Sequence, residues 1–582
     1  MRSILKYLKD YKKESILAPI FKMLEASFEL LVPLVMASII DVGIKESDRV
    51  HIVKMSAVLI LLGVVGLCAA ITAQYFAAKA ATGFSAKLRH ALFEHIQEFS
   101  FSQIDLFGTD TLINRMTSDI NDVQSGVNMF LRLFMRSPFV VFGAMFMAFT
   151  VDVKSALIFA VTIPLLSVVV FVILIWTLPL YKAVQNKLDK VMTSTRENLT
   201  GVRVIRAFNR EKNEEELFKD RNAVLNHAQQ YVGAISGVMN PLTYLMINIA
   251  TVILIYTGAV RINIGILTQG QVIALLNYMS QILVELIKLA NLIIQITKAI
   301  ACGNRIASVL DTKPNMIDGD QRLDAKSEDI AVEFDNVSFL YEDDGENVLE
   351  NISFKVQKGM TVGIIGGTGS GKTSLISLIP RFYDATQGQV RIFGKDVREL
   401  SIQDLRSHIG IVLQKAELFK GSIAENLKWG DEAASQEDID LALDISQARE
   451  FVDEKIGKTG FMVEQSGRNL SGGQKQRLTI ARAILKKPDI LIMDDSASAL
   501  DFATDAKLRM AISEYSNNMT TFIVSQRAAS VQNADMIIVM DDGRIAGIGT
   551  HKELIDNNEV YQEIYYSQFP KDEAIERGVV NE

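Results

Sequence analysis

The chain has 582 residues, 49% apolar and 22% charged, with 36 Gly, 10 Pro and 2 Cys. That length calls for several domains. The composition excludes a disordered chain, a disulfide-stapled scaffold and a nucleic-acid binder driven by bulk charge. Sixty Lys+Arg stand against 68 Asp+Glu, a net −8, yet the mean hydropathy is +0.20. The charge is divided unevenly: residues 1–310 hold 30 basic and 22 acidic side chains, and residues 311–582 hold 30 and 46. A basic, apolar half before an acidic, water-compatible one points to a membrane. Cys68 and Cys302 lie in or beside apolar stretches, so no structural disulfide is expected and a reducing cytosol is acceptable.

In chain order, residues 1–14 interleave Arg2, Lys6, Lys9, Lys12 and Lys13 with Ile4, Leu5, Leu8 and Tyr11. They read as an amphipathic helix lying in the inner membrane interface. Six apolar runs follow, near 16–40, 53–78, 128–150, 155–180, 235–260 and 270–297. Each suffices to cross a bilayer core, which takes about 20 apolar residues of helix. The segments joining spans two to three and four to five are long and basic, the second holding Lys182, Lys187, Lys190, Arg196, Arg203 and Arg206 among others. Basic connections face the cytoplasm, so both ends of the chain are expected there. Both segments keep helical periodicity, which extends the helices beyond the bilayer. Each is interrupted at its far end, at Phe107-Gly108-Thr109 and at Leu199-Thr200-Gly201-Val202.

Residues 311–329 are polar, contain Pro314 and Gly319, and read as a linker between a membrane domain (1–310) and a second domain (330–569); residues 570–582 form a polar tail. An apolar strand pattern ending at Ile365 runs into Gly366-Gly367-Thr368-Gly369-Ser370-Gly371-Lys372-Thr373, which matches G-x-x-x-x-G-K-[ST] between a strand and a helix. Its glycines let backbone N–H groups curl around phosphate oxygens. Lys372 would reach the β- and γ-phosphates and Thr373 the Mg²⁺. Ile490-Leu491-Ile492-Met493-Asp494 is a buried strand ending in a carboxylate, the Walker B pattern, with Asp494 on Mg²⁺. Leu470-Ser471-Gly472-Gly473-Gln474 opens another helix and offers a second phosphate cradle. One nucleotide site does not need two cradles, so the second is expected to close over a neighbouring subunit's nucleotide.

Six spans, a P-loop, LSGGQ and Walker B in this order resemble a half-transporter of the ATP-binding cassette (ABC) exporter family. The resemblance implies an α-helical membrane domain of six long helices, followed by an α/β P-loop nucleotide-binding domain with a helical subdomain. It implies ATP and Mg²⁺ as cofactors, Tyr341 stacked on adenine, and Gln414 as the Q-loop residue linking Mg²⁺ to the membrane domain. Thr373, Gln414 and Asp494 are the implied metal ligands. Ser498-Ala499-Leu500-Asp501 matches the D-loop, and the tips around 107–120 and 198–209 resemble coupling helices. Two positions depart from the family: the general-base glutamate after Asp494 is Asp495, and the switch histidine is Gln526. Aspartate draws its carboxylate back by about 1.5 Å, a bond length, and a misplacement of roughly 1 Å can cost about 10²-fold in rate. Gln526 can donate a hydrogen bond but cannot change protonation state near neutral pH. The segment Val463-Glu464-Gln465-Ser466-Gly467 also departs from the family's usual Gly-Glu-Arg-Gly.

Both changes fall on the hydrolytic pair and spare nucleotide binding, which resembles the degenerate subunit of heterodimeric multidrug ABC exporters. The expectation is an inner-membrane exporter of lipophilic or cationic amphiphilic compounds, paired with a second half-transporter whose catalytic site is intact. Lipid or peptide export, or an ATP-gated channel, is the alternative; no nucleic-acid partner is expected. Within the spans, Lys22, Glu25 and Glu29, and Glu285 with Lys288, are either cavity-lining groups or structural ion pairs.

Overall fold

The computed structural model describes residues 2–569 except 325–327, 342–344, 497, 516 and 517, so the polar tail at 570–582 lies outside the described residues. Two compact units separate: residues 1–97 with 108–313, and residues 98–107 with 314–582.

The first unit is helical. Its long helices are α1 (Lys12–Ser38), α2 (Arg49–Gln97), then, after the short α3 (Phe101–Phe107), α4 (Ile120–Leu133) and α5 (Arg136–Val151), α6 (Val153–Thr200), the short α7 (Val202–Ala207), α8 (Glu211–Gly237) and α9 (Met239–Asn263), and α10 (Gln269–Asp311). Among the described residues, six segments are long and apolar enough to cross a membrane, from 3–44 to 269–311. Packing follows from small residues: Ala69, Ala73, Ala77, Ala80 and Ala81 make a buried stripe along α2, and such stripes let helix backbones approach where no hydrophobic force drives them together. At the start of α10, Thr268 and Gln271 form a capping box. A Cβ on Gly270 would meet the Ala37 carbonyl oxygen at 2.4 Å. That close approach lets Asp41 accept hydrogen bonds from the Thr268 hydroxyl (2.5 Å) and the Gly270 N–H (2.8 Å).

The charged groups inside the spans are paired. Lys22 donates to Glu25 at 2.5 Å and Lys288 to Glu285 at 2.9 Å. Arg136, just before a charge-free run, joins these pairs: it donates to Glu29 at 2.6 Å and to Glu285, which also accepts from the Ser137 hydroxyl at 2.8 Å. Three cations and three carboxylates therefore balance across α1, α5 and α10.

The second unit holds a six-stranded sheet in the order β12-β11-β3-β10-β9-β6 and a four-stranded antiparallel sheet, β2-β1-β4-β5. The strands are β1 (Ile330–Phe339), β2 (Leu349–Gln357), β3 (Thr361–Gly366), β4 (Gln387–Ile392), β5 (Lys395–Asp396), β6 (Ile409–Val412), the short pair β7 (Gly421–Ser422) and β8 (Met462–Val463), β9 (Ile490–Asp494), β10 (Thr520–Val524), β11 (Met536–Asp541) and β12 (Arg544–Gly549). Strands β11, β3, β10, β9 and β6 run parallel, and β12 closes one edge antiparallel. The β9 and β10 residues are buried throughout, as parallel strands covered on both faces are. Around the sheet lie α11 (Lys372–Ser377), α12 (Gln436–Ile445), α13 (Gly472–Leu485), α14 (Phe502–Tyr515) and α15 (Glu559–Gln568). Residues 314–324 pack along this unit: Leu323 N–H donates to Asp404 at 2.7 Å and Ile402 N–H to Asp318 at 2.7 Å.

Helix α3 belongs to this second unit. The Phe101 ring lies 4.5 Å from that of Phe382, and the Tyr383 hydroxyl donates to Asp105 at 2.8 Å. The tip expected around 107–120 is thereby corrected. The separate helix precedes Gly108, whose φ of +74° makes the second break, and residues 109–114 already start the next long segment. Ser100 and Gln103 cap α3 reciprocally, the Ser100 N–H on the Gln103 side chain at 3.2 Å and the Gln103 N–H on Ser100 Oγ at 3.3 Å. The second tip agrees with its expected place: α6 ends at Thr200, Gly201 intervenes, and α7 follows.

Candidate functional site

Strands β3 and β9 flank β10, and their carboxyl ends carry the P-loop and Asp494. Ligands bind at such strand ends in open parallel sheets. The cavity there has a volume of about 280 Å³ and is lined by Gly369, Lys372, Thr373, Gln414, Asp494, Asp495 and Gln526 among others.

The P-loop has the backbone its glycines permit. Gly369 and Gly371 sit at φ +84° and +90°, in the left-handed region that costs other residues most. A Cβ on Gly366 would meet the Met540 carbonyl oxygen at 2.2 Å, whereas Gly367 and Gly369 have nothing within 4 Å of theirs and face open space. Lys372 is buried, and its ammonium donates to the carbonyls of Gly366 (2.9 Å) and Gly367 (2.6 Å) and to Ser370 Oγ (3.2 Å). Burial pushes its pKa down, and the carboxylates of Asp495 and Asp494 oppose that shift. The loop's lysine is thus held at its mouth next to two acids.

The Thr373 hydroxyl donates to Asp494 Oδ1 at 3.2 Å. Burial raises the pKa of Asp494, the neighbouring charge of Asp495 adds to this, and Thr373 and Lys372 act against it. Asp495 is raised by burial as well, against a hydrogen bond from Gln414 and the charges of Lys372 and Arg527. Two neighbouring carboxylates facing one lysine leave room for a divalent cation, which would relieve their repulsion. The oxygens of Thr373, Asp494 and Gln414 are of the type that Mg²⁺ takes, and with the open Gly367–Gly369 cradle the residues fit a magnesium nucleotide.

Not every expected residue lines this cavity. Ser370 is buried behind it on the lysine, and Gly366 is packed against β11. Tyr341 is half-exposed and reaches the P-loop helix through its hydroxyl, 2.9 Å from Ser374 Oγ. Ser471, Gly472, Gly473 and Gln474 lie elsewhere, at the start of α13. There Ser471 and Gln474 form a capping box and Gln474 N–H donates to Ser471 Oγ at 3.3 Å. A Cβ on Gly473 would stand 3.1 Å from the Ala499 carbonyl oxygen, so this cradle packs on the D-loop of its own chain.

Asp495 has φ +43°, and its N–H donates to the Val524 carbonyl at 3.0 Å, locking the strand end to β10. Gln526 follows on the next loop. Three contributors carry no local motif: Val348, which lines the cavity from the start of β2, Arg527, whose guanidinium donates to the D-loop carbonyls of Leu500 (3.3 Å) and Ser498 (3.4 Å), and Gln568, which holds the Gln526 backbone from the end of α15.

Comparison with known proteins agrees with this geometry. Residues 15–286 match the ABC transporter transmembrane region and residues 349–498 match the ABC transporter family model. The chain is 36% identical to YfiB of Bacillus subtilis (strain 168), an uncharacterised ABC transporter ATP-binding protein, over 98% of this chain and 99% of that one. It is 31% identical to YgaD of the same organism, provisionally named a multidrug export ATP-binding/permease protein, over 98% and 99%. Its fold matches the solved structure of a bacterial Atm1-family ABC exporter with ATP bound, at a TM-score of 0.80 and 21% identity, covering 96% of this chain and 99% of that one.

Proposed function

The chain belongs to the ABC transporter family, as an exporter half with its membrane domain fused to its cassette, and on that footing we propose that it is the slow-site subunit of a two-chain exporter. In this reading its own P-loop binds ATP and hydrolyses it poorly, while its Ser471–Gln474 cradle completes the site of a second half-transporter. The carrying observation is the contrast within one cavity. Every binding group is in place, Lys372 on the loop and Thr373 on Asp494. The two positions that must act on water and on the γ-phosphate hold a shortened acid and a neutral amide, Asp495 and Gln526.

Chemistry supports the contrast. Asp495 is hydrogen-bonded by Gln414 and sits beside the lysine, so its carboxylate is committed to the site's charge balance, and it lacks the reach to the attacking water. Bound Mg²⁺ would supply charge neutralisation at the phosphate oxygens. The chain's own groups bind and orient: Lys372 holds phosphate, Thr373 and Asp494 place oxygen ligands, and Gln526 offers a hydrogen bond without a transferable proton.

The paired-subunit reading is supported by the cradle of α13 lying away from its own P-loop, and by α7, which buries no residue and leaves Val204 and Phe208 60% and 73% exposed for a partner. Both chain ends on the cytoplasmic side, the inner membrane as location and a lipophilic cargo belong to the same proposal. Its experiment is steady-state hydrolysis by the purified full-length chain alone. ATP should bind, with turnover well under the rate of about 10 s⁻¹ typical of enzymes. Turnover at that typical rate refutes the slow-site assignment.

A further inference from the structure

The switch loop at residues 525–528 is gripped from two directions. On one side Arg527 holds the D-loop carbonyls of Leu500 and Ser498, and its guanidinium lies 4.9 Å from the Phe502 ring centre. On the other side stands Gln568, in the last turn of α15. Its Nε2 donates to the Gln526 carbonyl at 2.8 Å, and its Oε1 accepts from the Ala528 N–H at 2.9 Å. One side-chain amide thus spans the loop with a donor and an acceptor, much as a neighbouring strand would. Only one orientation of that amide satisfies both bonds.

Helix α15 is itself firmly seated. Asn558 caps it, accepting from Tyr561 N–H at 2.8 Å, and Tyr561 and Tyr565 are buried to 0% and 2% exposure. The position of Gln568 is therefore set largely by the packing of the C-terminal helix on β11 and by its Asn558 cap, which donates to the Ala546 carbonyl of β12 at 2.9 Å. Gln526 lines the cavity with Lys372, Asp494 and Asp495. A shift of its backbone by a fraction of a hydrogen-bond length would move its side chain relative to all three.

We propose that Gln568 is a positioning residue for the switch: it fixes the Gln526 backbone so that the neutral amide meets the terminal phosphate, and it makes the C-terminal helix a determinant of ATP-over-ADP preference. This rests on reading Gln526 as the group that faces the γ-phosphate. Glutamine at the switch makes such bracing more necessary than histidine would, because a neutral amide gains less from the phosphate charge and depends more on geometry.

The test uses the full-length chain in lipid nanodiscs, with magnesium ATP and magnesium ADP affinities measured separately and amide hydrogen exchange followed at Ala528. Gln568→Ala removes both bonds. It should lower ATP affinity about fivefold or more, leave ADP affinity unchanged and speed exchange at Ala528. Gln568→Glu keeps the length and the acceptor, so exchange at Ala528 should stay slow while ATP preference still falls, because an oxygen now faces the Gln526 carbonyl. Gln526→Ala should lower the same preference, and adding Gln568→Ala to it should cost nothing further, since both act through one contact. Equal weakening of ATP and ADP by Gln568→Ala, or no change in either preference or exchange, overturns the proposal and leaves the switch reading intact. An unaltered preference in Gln526→Ala overturns the switch reading itself, and this inference with it.

Discussion

Asp495 sits at φ +43°, where aspartate is tolerated better than bulkier side chains, and it is joined to Gln414 and to the field of Lys372. Glutamate at the same backbone position would carry its carboxylate one methylene deeper into the cavity. Histidine at 526 would add a group whose charge can follow the chemistry. In the proposed function base and switch act on one transition state, so their effects should not be additive. Asp495→Glu alone and Gln526→His alone should each raise turnover of the isolated chain only slightly, and the double variant should raise it by more than the product of the two. Steady-state hydrolysis by the three variants checks this; a full gain from either single change would show that the two positions do not work as a unit.

At the scale of elements, what the sequence discloses is what is local. The P-loop, Walker B and LSGGQ announce themselves because the geometry of a phosphate cradle must be supplied by neighbours in the chain. The six spans are legible for the same reason, since each satisfies its own backbone. Gly108 signals a break only after α3, whereas Ser100-x-x-Gln103 is the capping-box pattern that marks its start. Gln568 lies 42 residues from Gln526, and no local pattern connects them. The C-terminal region carries a titratable anchor too. His551 bonds the Tyr561 hydroxyl at 2.7 Å, and burial holds its pKa below the ordinary 6.5. Because the folded state binds the proton less readily than the unfolded one, stability rises with pH through this window. It is fully present above about 6.5 and is lost as pH falls below that value toward the folded pKa. Hydrogen exchange across α15 should therefore accelerate on acidification, and His551→Gln should flatten the dependence. A profile unchanged by that substitution would show that another group controls it.

For the whole molecule, the membrane domain is joined by charge as well as by shape. Lys22, Arg136 and Lys288 balance Glu25, Glu29 and Glu285, so the carboxylates that could have met a cationic cargo are already engaged. Arg136 was invisible as a partner in the sequence because its acids lie 107 and 149 residues away. Removing one member of a buried ion pair strands the other, at about 3–5 kcal/mol. Glu285→Gln, at 3% side-chain exposure, should therefore destabilise the full-length protein more than Glu29→Gln, at 41%. Neither should discriminate between cationic and neutral cargo. Thermal unfolding and transport assays on the two variants decide the matter; selective loss of cationic transport with normal stability would return these groups to the cargo site.

We propose that this chain binds ATP at a slow site and lends its signature cradle to a fast one. The most direct measurement is steady-state ATP hydrolysis by the transporter isolated in its native assembly, with Gly472→Asp set beside Asp495→Asn. Gly472→Asp places a carboxylate at the cradle proposed to serve the partner's γ-phosphate and should nearly abolish turnover. If Asp495 is the short acid of a slow site, Asp495→Asn should lower turnover only a few-fold. Equal damage from the two substitutions would make this chain's own Walker site the working one and contradict the assignment.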